Sequence, residues 1–186
     1  MKNVFLALVT VFSISFTQAQ TEVGDATLPN TITIEGADLM LNGAGMREKL
    51  WIDLYAGGLY LNSKSKDANA VINADETMAM KLHIVSGLVS KEKMIDAVND
   101  GFEASLNGNT APMADKIAKF KGFFSEEIVK GNVFDIAYVK GKGSVVYKNG
   151  KEVGSIAGMD FKKALFGIWL GKKPADKGLK SEMLGN

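Results

Sequence analysis

The sequence contains no cysteine and a single histidine, His83, among its 186 residues. Without cysteine the chain can form no disulfide and has no thiol nucleophile. A lone histidine is a poor metal ligand, and we interpret His83 as a solvated strand residue. We therefore expect neither a metal site nor a cofactor. At this length one core can bury enough surface without cross-links.

Net charge is almost absent as well. The 22 basic and 21 acidic residues leave a formal charge of +1. This balance gives no electrostatic reason to expect nucleic acid or an anionic membrane surface as a partner. Nothing in the composition predicts an oligomeric state.

Signatures of common enzyme classes are missing too. The segment GKGS, residues 141–144, lacks the glycine spacing of a phosphate-binding loop, and NGAGMR carries only part of a dinucleotide fingerprint. No serine lies in a G-x-S-x-G motif. The residue pattern alone therefore predicts no catalytic residue.

The N-terminal segment has the three parts of a secretory signal. Lys2 precedes an apolar run from Val4 to Phe16, and Thr17-Gln18-Ala19 forms a small-residue cleavage site. We predict a signal peptide over residues 1–19 and one mature domain over residues 20–186. No later apolar run is long enough to cross a bilayer, so no transmembrane segment is expected in the mature chain. Secretion indicates the periplasm if the cell has an outer membrane.

The remaining sequence alternates between strand and helix patterns. Strand-like alternation covers residues 31–34, 37–41, 49–61, 77–85, 133–140, 144–148 and 151–156. Helical periodicity follows Ser90, Pro112 and Asp160, and returns over residues 176–184. Asn149-Gly150 is a strong hairpin signal. The order predicts an α+β fold with a largely antiparallel sheet and helices on one side.

The run over residues 49–61 contains many strand-forming residues and is interpreted as one strand. One of its faces, from Leu50 to Tyr60, is nearly all apolar and is expected to meet the core. The other face is mixed, and it includes Tyr55 together with Arg47 at the head of the run.

The segments NGAGMR and WIDLYAGGLYL together resemble the chalcone isomerase-like family in its bacterial secreted branch. The resemblance continues in GNVFDIAYVKGKGSVVYKNGKEVGSIAGMDF and in ALFGIWLGKKPADKGLKSEMLG, so it covers residues 34–185. It implies a chalcone isomerase-like open-faced sandwich, in which a large antiparallel sheet has helices layered on one face.

The resemblance implies two alternative activities. Chalcone isomerases close a ring in an aromatic enone with an arginine, a threonine, a tyrosine, a lysine and an asparagine. Arg47 matches the arginine and Lys93 the lysine. The other three roles fall on Tyr55, on Val89 or Ser90, and on Ala97. Most of the isomerase set is therefore replaced.

Fatty-acid-binding relatives in this family keep the arginine and place a tyrosine at the threonine position. There the pair is thought to hold a ligand carboxylate, and Arg47 with Tyr55 matches that version. A guanidinium offers a planar fork to a carboxylate, and a phenol adds a second donor. We predict ligand binding by Arg47, Tyr55 and Lys93. The predicted lining of an apolar pocket is Trp51, Met78, Met80, Met94 and Phe102.

The geometry of the pair separates the hypotheses. On a straight strand the eight residues from Arg47 to Tyr55 would span roughly 26 Å, too far to grip one head group. The preferred hypothesis, a non-catalytic binding protein for a small apolar or carboxylate ligand, needs the chain to reverse near residues 48–51. The alternatives are an isomerase, or a structural domain with a filled core and no pocket.

Overall fold

The computed structural model describes residues 19–186, so the predicted signal peptide lies outside the described residues except for Ala19. This part of the chain contains nine strands and five α-helices, with a short 3₁₀ turn at Ala111–Met113. The strands are β1 Gln20–Val23, β2 Ala26–Pro29, β3 Thr31–Ile34, β4 Ala37–Lys49, β5 Ile52–Leu61, β6 Met78–Ile84, β7 Val133–Val139, β8 Gly143–Lys148 and β9 Lys151–Ile156. The helices are α1 Ala68–Asn73, α2 Lys91–Ser105, α3 Ala114–Gly122, α4 Met159–Leu170 and α5 Lys177–Met183.

Seven strands, β3 to β9, form one sheet in chain order, and each neighbouring pair is antiparallel. The sheet is curled. Glu35, in the β3–β4 turn, accepts hydrogen bonds from Lys142 at 2.6 Å and from Tyr147 in β8 at 2.9 Å. Five strand spacings would separate β3 from β8 by about 24 Å in a flat sheet. The α+β prediction with an antiparallel sheet is confirmed.

The helices pack on one face of this sheet. The main core there contains Met78, Met80 and Phe102, with phenylalanine rings in contact across the helices. Ser90 precedes α2 as predicted, and its Oγ accepts from the amide of Lys93 at 3.3 Å. None of the helices within residues 19–186 is both long and apolar enough to cross a membrane.

The start of α4 differs from the prediction. Gly158 precedes the helix, and Asp160 lies in its first turn instead of capping it. The carboxylate of Asp160 is held by Lys116 at 2.8 and 2.9 Å. Gly171 ends the helix, as predicted.

The interpretation of residues 49–61 as one strand is wrong. β4 continues to Lys49, Leu50 and Trp51 form a two-residue turn, and β5 returns beside β4. Both turn residues have positive φ, 53° and 62°, as a type I′ hairpin turn requires. Because asparagine and glycine normally occupy such turns, two large apolar residues gave no signal for a reversal.

The two faces of β5 are also assigned differently from the prediction. Tyr55 and Leu59, on the mixed face, meet the core beneath the helices. Ala56 and Tyr60 lie in smaller clusters on the opposite face. Both faces are therefore buried, and in the second half of the strand the predicted apolar face is turned away from the helices.

Candidate ligand-binding site

A cavity of about 630 Å³ lies between the β4–β5 hairpin, α2, α4 and the segment that follows α4. Its size is typical of small-molecule sites. Its lining is chiefly apolar, and the apolar side chains in it are Leu50, Ile52, Leu54, Leu82, Leu88, Val89, Met94, Ala97, Val98, Ala104, Phe120, Phe124, Ile136, Ile168, Trp169, Pro174 and Ala175.

Arg47 and Tyr55 both line this cavity and are directly opposite each other in the β4–β5 ladder. The turn at residues 50–51 thus supplies the reversal that a shared head-group site requires. Opposite residues in an antiparallel pair have Cβ atoms only about 4.5–5.5 Å apart. A straight strand would have placed the two side chains at opposite ends of the sheet.

Arg47 is the only arginine in the chain. Its Nη1 donates to the carbonyl of Ala175 and lies 3.4 Å from Oδ2 of Asp176. The guanidinium has five N–H donors. All its hydrogen bonds to residues 19–186 use Nη1, so the donors on Nε and Nη2 have no partner in that part of the chain.

Tyr55 is buried, and its hydroxyl oxygen accepts a hydrogen bond from Nε1 of Trp169 at 3.0 Å. The hydroxyl donates to no residue in the described part of the chain. Burial raises the pKa of Tyr55, although the Trp169 bond and the nearby Arg47 charge act in the other direction. The phenol therefore remains a protonated donor at neutral pH, beside a guanidinium.

Helix α5 fixes the position of Arg47. Asp176 caps this helix by accepting from the amide of Leu179 at 3.0 Å, and the amide of Ala175 donates to Ile168 at 2.8 Å. The partners of Arg47 are thus held by hydrogen bonds of their own. Sequence reasoning missed both partners because they lie about 130 residues further along the chain than Arg47.

The NGAG segment, residues 42–45, packs directly against helix α5. Nδ2 of Asn42 donates to the carbonyls of Ser65 and Met183 at 2.9 and 2.7 Å. A Cβ on Gly43 would lie 2.0 Å from the carbonyl oxygen of Glu182, and one on Gly45 would collide with the Glu182 carboxylate. The glycines therefore serve close packing and leave Arg47 as the residue of this motif that reaches the cavity.

The other predicted site residues are divided between the cavity and the core. Lys93 and Met94 line the cavity. Met78, Met80 and Phe102 are not among its lining residues, because they fill the core between sheet and helices. Trp51 does not line it either, because it projects from the hairpin turn and is 95% exposed.

Trp169 is the lining residue that the helical pattern missed. The prediction turned Phe161, Ala164, Leu165 and Ile168 inward, but the second half of α4 is buried all round. The signal was present in FGIWL, because a helix that is apolar on every side is a buried helix.

The positions matched to the isomerase set also converge here. Val89, Lys93 and Ala97 line the same cavity as Arg47 and Tyr55. Ala97 and, in one of the two alternatives for the tyrosine position, Val89 hold aliphatic side chains that can neither donate nor accept a proton. Within residues 19–186 no group of three or more histidine or acidic side chains could hold a metal ion.

The curled sheet and the helices on one face define an open-faced sandwich with an apolar cavity between its layers. A family model described as chalcone isomerase-like matches residues 20–185, and the chain belongs to that family. The crystal structure of a fatty-acid binding protein of Arabidopsis thaliana has the same fold. It is 18% identical, with a TM-score of 0.71 over 89% of this chain and 96% of that one. No curated protein matches the sequence.

Proposed function

We propose that this protein is a secreted, non-catalytic binding protein for a small apolar molecule that carries a carboxylate, such as a fatty acid. The observation that carries the proposal is the pairing of Arg47 and Tyr55 at the wall of an apolar cavity. Each has a donor without a partner in the described residues. An anion is the ligand group that such donors suit.

The charges of the lining favour the same ligand class. Four cationic and two acidic side chains line the cavity: Arg47, Lys49, Lys93 and Lys173, with Asp96 and Asp100. The excess of positive charge favours an anionic head group at the wall. The apolar residues then offer a dry environment to an aliphatic tail, and transfer of such a tail from water is favourable by about 0.8 kcal/mol per CH₂ group.

The cavity lining offers fewer of the groups that an isomerase reaction needs. Ring closure in an enone develops charge on a phenolate and an enolate, which needs preorganised donors or cations around both. Ala97 stands where one of the family's polar groups would be, and Val89 or Ser90 stands where another would be. The Ser90 hydroxyl caps α2. A cavity of about 630 Å³ favours this proposal over the alternative of a filled core without a pocket.

Secretion is proposed from the N-terminal segment alone, whose positive residue, apolar run and small residues match a cleavable signal. The intact mass of the protein recovered from its own cells tests this part. A chain beginning at Gln20 is expected, and a chain retaining Met1 to Ala19 would refute cleavage after Ala19.

The binding proposal is tested by titrating the protein with a fatty acid and with its methyl ester. The wild type should prefer the free acid, and Arg47→Met should bind both alike. A hydrogen bond to a charged group contributes about 1.5–3 kcal/mol, which corresponds to an affinity loss of roughly ten- to hundred-fold.

Lys116→Met is the matched control, because Lys116 also pairs with an aspartate at a helix start, at 2.8 Å from Asp160. It lies outside the cavity lining and should leave the preference for the acid unchanged. Equal binding of acid and ester by the wild type would refute the carboxylate site. Circular dichroism of each variant verifies that it is folded.

A further inference from the structure

Of the seven exposed large apolar side chains in the described residues, four lie at the cavity or next to its lining. Leu50 is 75% exposed, Trp51 95%, Leu88 52% and Ile52 40%. Leu50, Ile52 and Leu88 line the cavity, and Trp51 projects between Leu50 and Ile52 at the tip of the hairpin. We call these four residues the hydrophobic rim. A clustered apolar surface of this kind marks an interaction site more often than scattered exposed residues do.

Two of the rim residues, Leu50 and Trp51, form the hairpin turn in a conformation that does not favour their side chains. Leu50 and Trp51 have φ of 53° and 62°, which bulky residues rarely adopt. The same chain makes its β8–β9 turn with Asn149 and Gly150, at φ of 51° and 80°. Asparagine and glycine are the favoured residues for this conformation. The rim thus exposes apolar surface at positions where local folding favours other residues.

The lysines beside the hydrophobic rim indicate that the partner surface is anionic. Lys49, Lys93 and Lys173 line the same cavity, and none of the three forms an ion pair within residues 19–186. Glu48 and Asp53, the acids nearest to Lys49 in sequence, are opposite each other in the β4–β5 ladder and do not line the cavity.

The two acids of the lining lie on α2. Asp96 and Asp100 come about one and two turns after Lys93 along the helix. The near-zero net charge of the whole chain therefore does not describe this region, where three lysines without an ion-pair partner in residues 19–186 outnumber two aspartates in the lining.

We propose that the hydrophobic rim inserts into the interface of an anionic lipid bilayer, with the adjacent lysines against the lipid head groups. Tryptophan prefers this interfacial layer, and lysines are attracted by anionic lipids. The cavity then opens toward the membrane, from which an apolar ligand enters. This inference rests on the proposed function for the ligand, whereas the docking itself depends only on the rim and its lysines.

Vesicle flotation with the purified protein tests the docking. The wild type should float with vesicles containing phosphatidylglycerol and remain behind with pure phosphatidylcholine, and added salt should weaken the binding. Trp51→Gly should reduce it about ten-fold or more, because an indole no longer leaves water. Glycine also suits the positive φ at this position, so the variant should fold at least as well as the wild type.

Two further measurements keep the outcomes distinct. Val129→Asn changes another exposed apolar residue, outside the cavity lining, and should bind vesicles as the wild type does. Trp51→Gly should keep the wild-type affinity for a fatty acid in solution, because Trp51 is not part of the lining. If the wild type binds no fatty acid in solution, the proposed function is refuted, but the vesicle experiment still tests the docking.

The docking proposal is overturned if the wild type fails to bind anionic vesicles, or if Trp51→Gly binds them equally well. A third result also overturns it. In this result the wild type does not bind vesicles but self-associates with rising concentration, whereas Trp51→Gly remains monomeric. The hydrophobic rim would then be an interface between two copies of the chain.

Discussion

Replacing Tyr55 by phenylalanine removes one hydroxyl from the cavity wall and keeps the ring. The hydroxyl accepts from Trp169 at 3.0 Å, and its own hydrogen has no acceptor in the described residues. If this hydrogen binds a carboxylate, its loss costs about 1.5–3 kcal/mol, and the fatty-acid affinity falls roughly ten- to hundred-fold. Isothermal titration with the free acid measures this change directly.

The same substitution also affects stability, which requires a control. The indole N–H of Trp169 loses its acceptor, at a cost of about 1–3 kcal/mol for a buried donor. Tyr60→Phe is the control and should lower the stability by a comparable amount, because the Tyr60 hydroxyl donates to the carbonyl of Pro29 at 2.7 Å. Tyr60 packs on the opposite face of the sheet, outside the cavity lining.

We therefore expect both variants to lower the melting temperature and only Tyr55→Phe to weaken binding. A folded Tyr55→Phe protein that binds the acid as tightly as the wild type would refute the head-group assignment. Equal weakening by both variants would show that affinity follows stability and not the hydroxyl.

Three other predictions concern the packing and the chemistry of the fold. Gly43→Ala should lower the free energy of unfolding in urea by about 1–3 kcal/mol, because the new Cβ would meet the Glu182 carbonyl. Gly122→Ala is the control: its Cβ would have free space, so stability should be unchanged or higher. Lys162→Met should lower the free energy of unfolding by about 3 kcal/mol, because the buried ammonium donates to three backbone carbonyls at the end of α1. The neighbouring Lys163 is exposed, and Lys163→Met should change stability by less than about 0.5 kcal/mol. Incubation with a chalcone should show no loss of enone absorbance above the spontaneous rate, and a protein-dependent rate abolished by Arg47→Met would contradict the non-catalytic assignment.

The fold class could be predicted because its signals are local. Alternation identified β6, helical spacing after Ser90 identified α2, and Asn149-Gly150 identified the β8–β9 hairpin. Each of these depends on residues a few positions apart. The order of these elements predicted helices on one side of the sheet, the family resemblance implied the same layering, and the match over residues 20–185 confirms the family.

The site could be predicted only in part, because its geometry depends on two features with weak local signals. The reversal at Leu50-Trp51 uses residues that ordinarily disfavour such a turn, so a straight strand was the natural interpretation. The anchors of Arg47 come from Ala175 and Asp176, and the partner of Tyr55 comes from Trp169. Pairings this distant in sequence are set by tertiary packing, which residue periodicity does not report.

The most direct test of the head-group site uses tryptophan fluorescence. The chain has two tryptophans, so Trp51→Phe leaves only Trp169, whose indole bonds the Tyr55 hydroxyl. A fatty acid brominated at the carbon next to the carboxyl should quench Trp169 more strongly than one brominated near the end of its chain. Stronger quenching by the chain-end bromine, or equal binding without quenching by either acid, would contradict a carboxylate held by Arg47 and Tyr55.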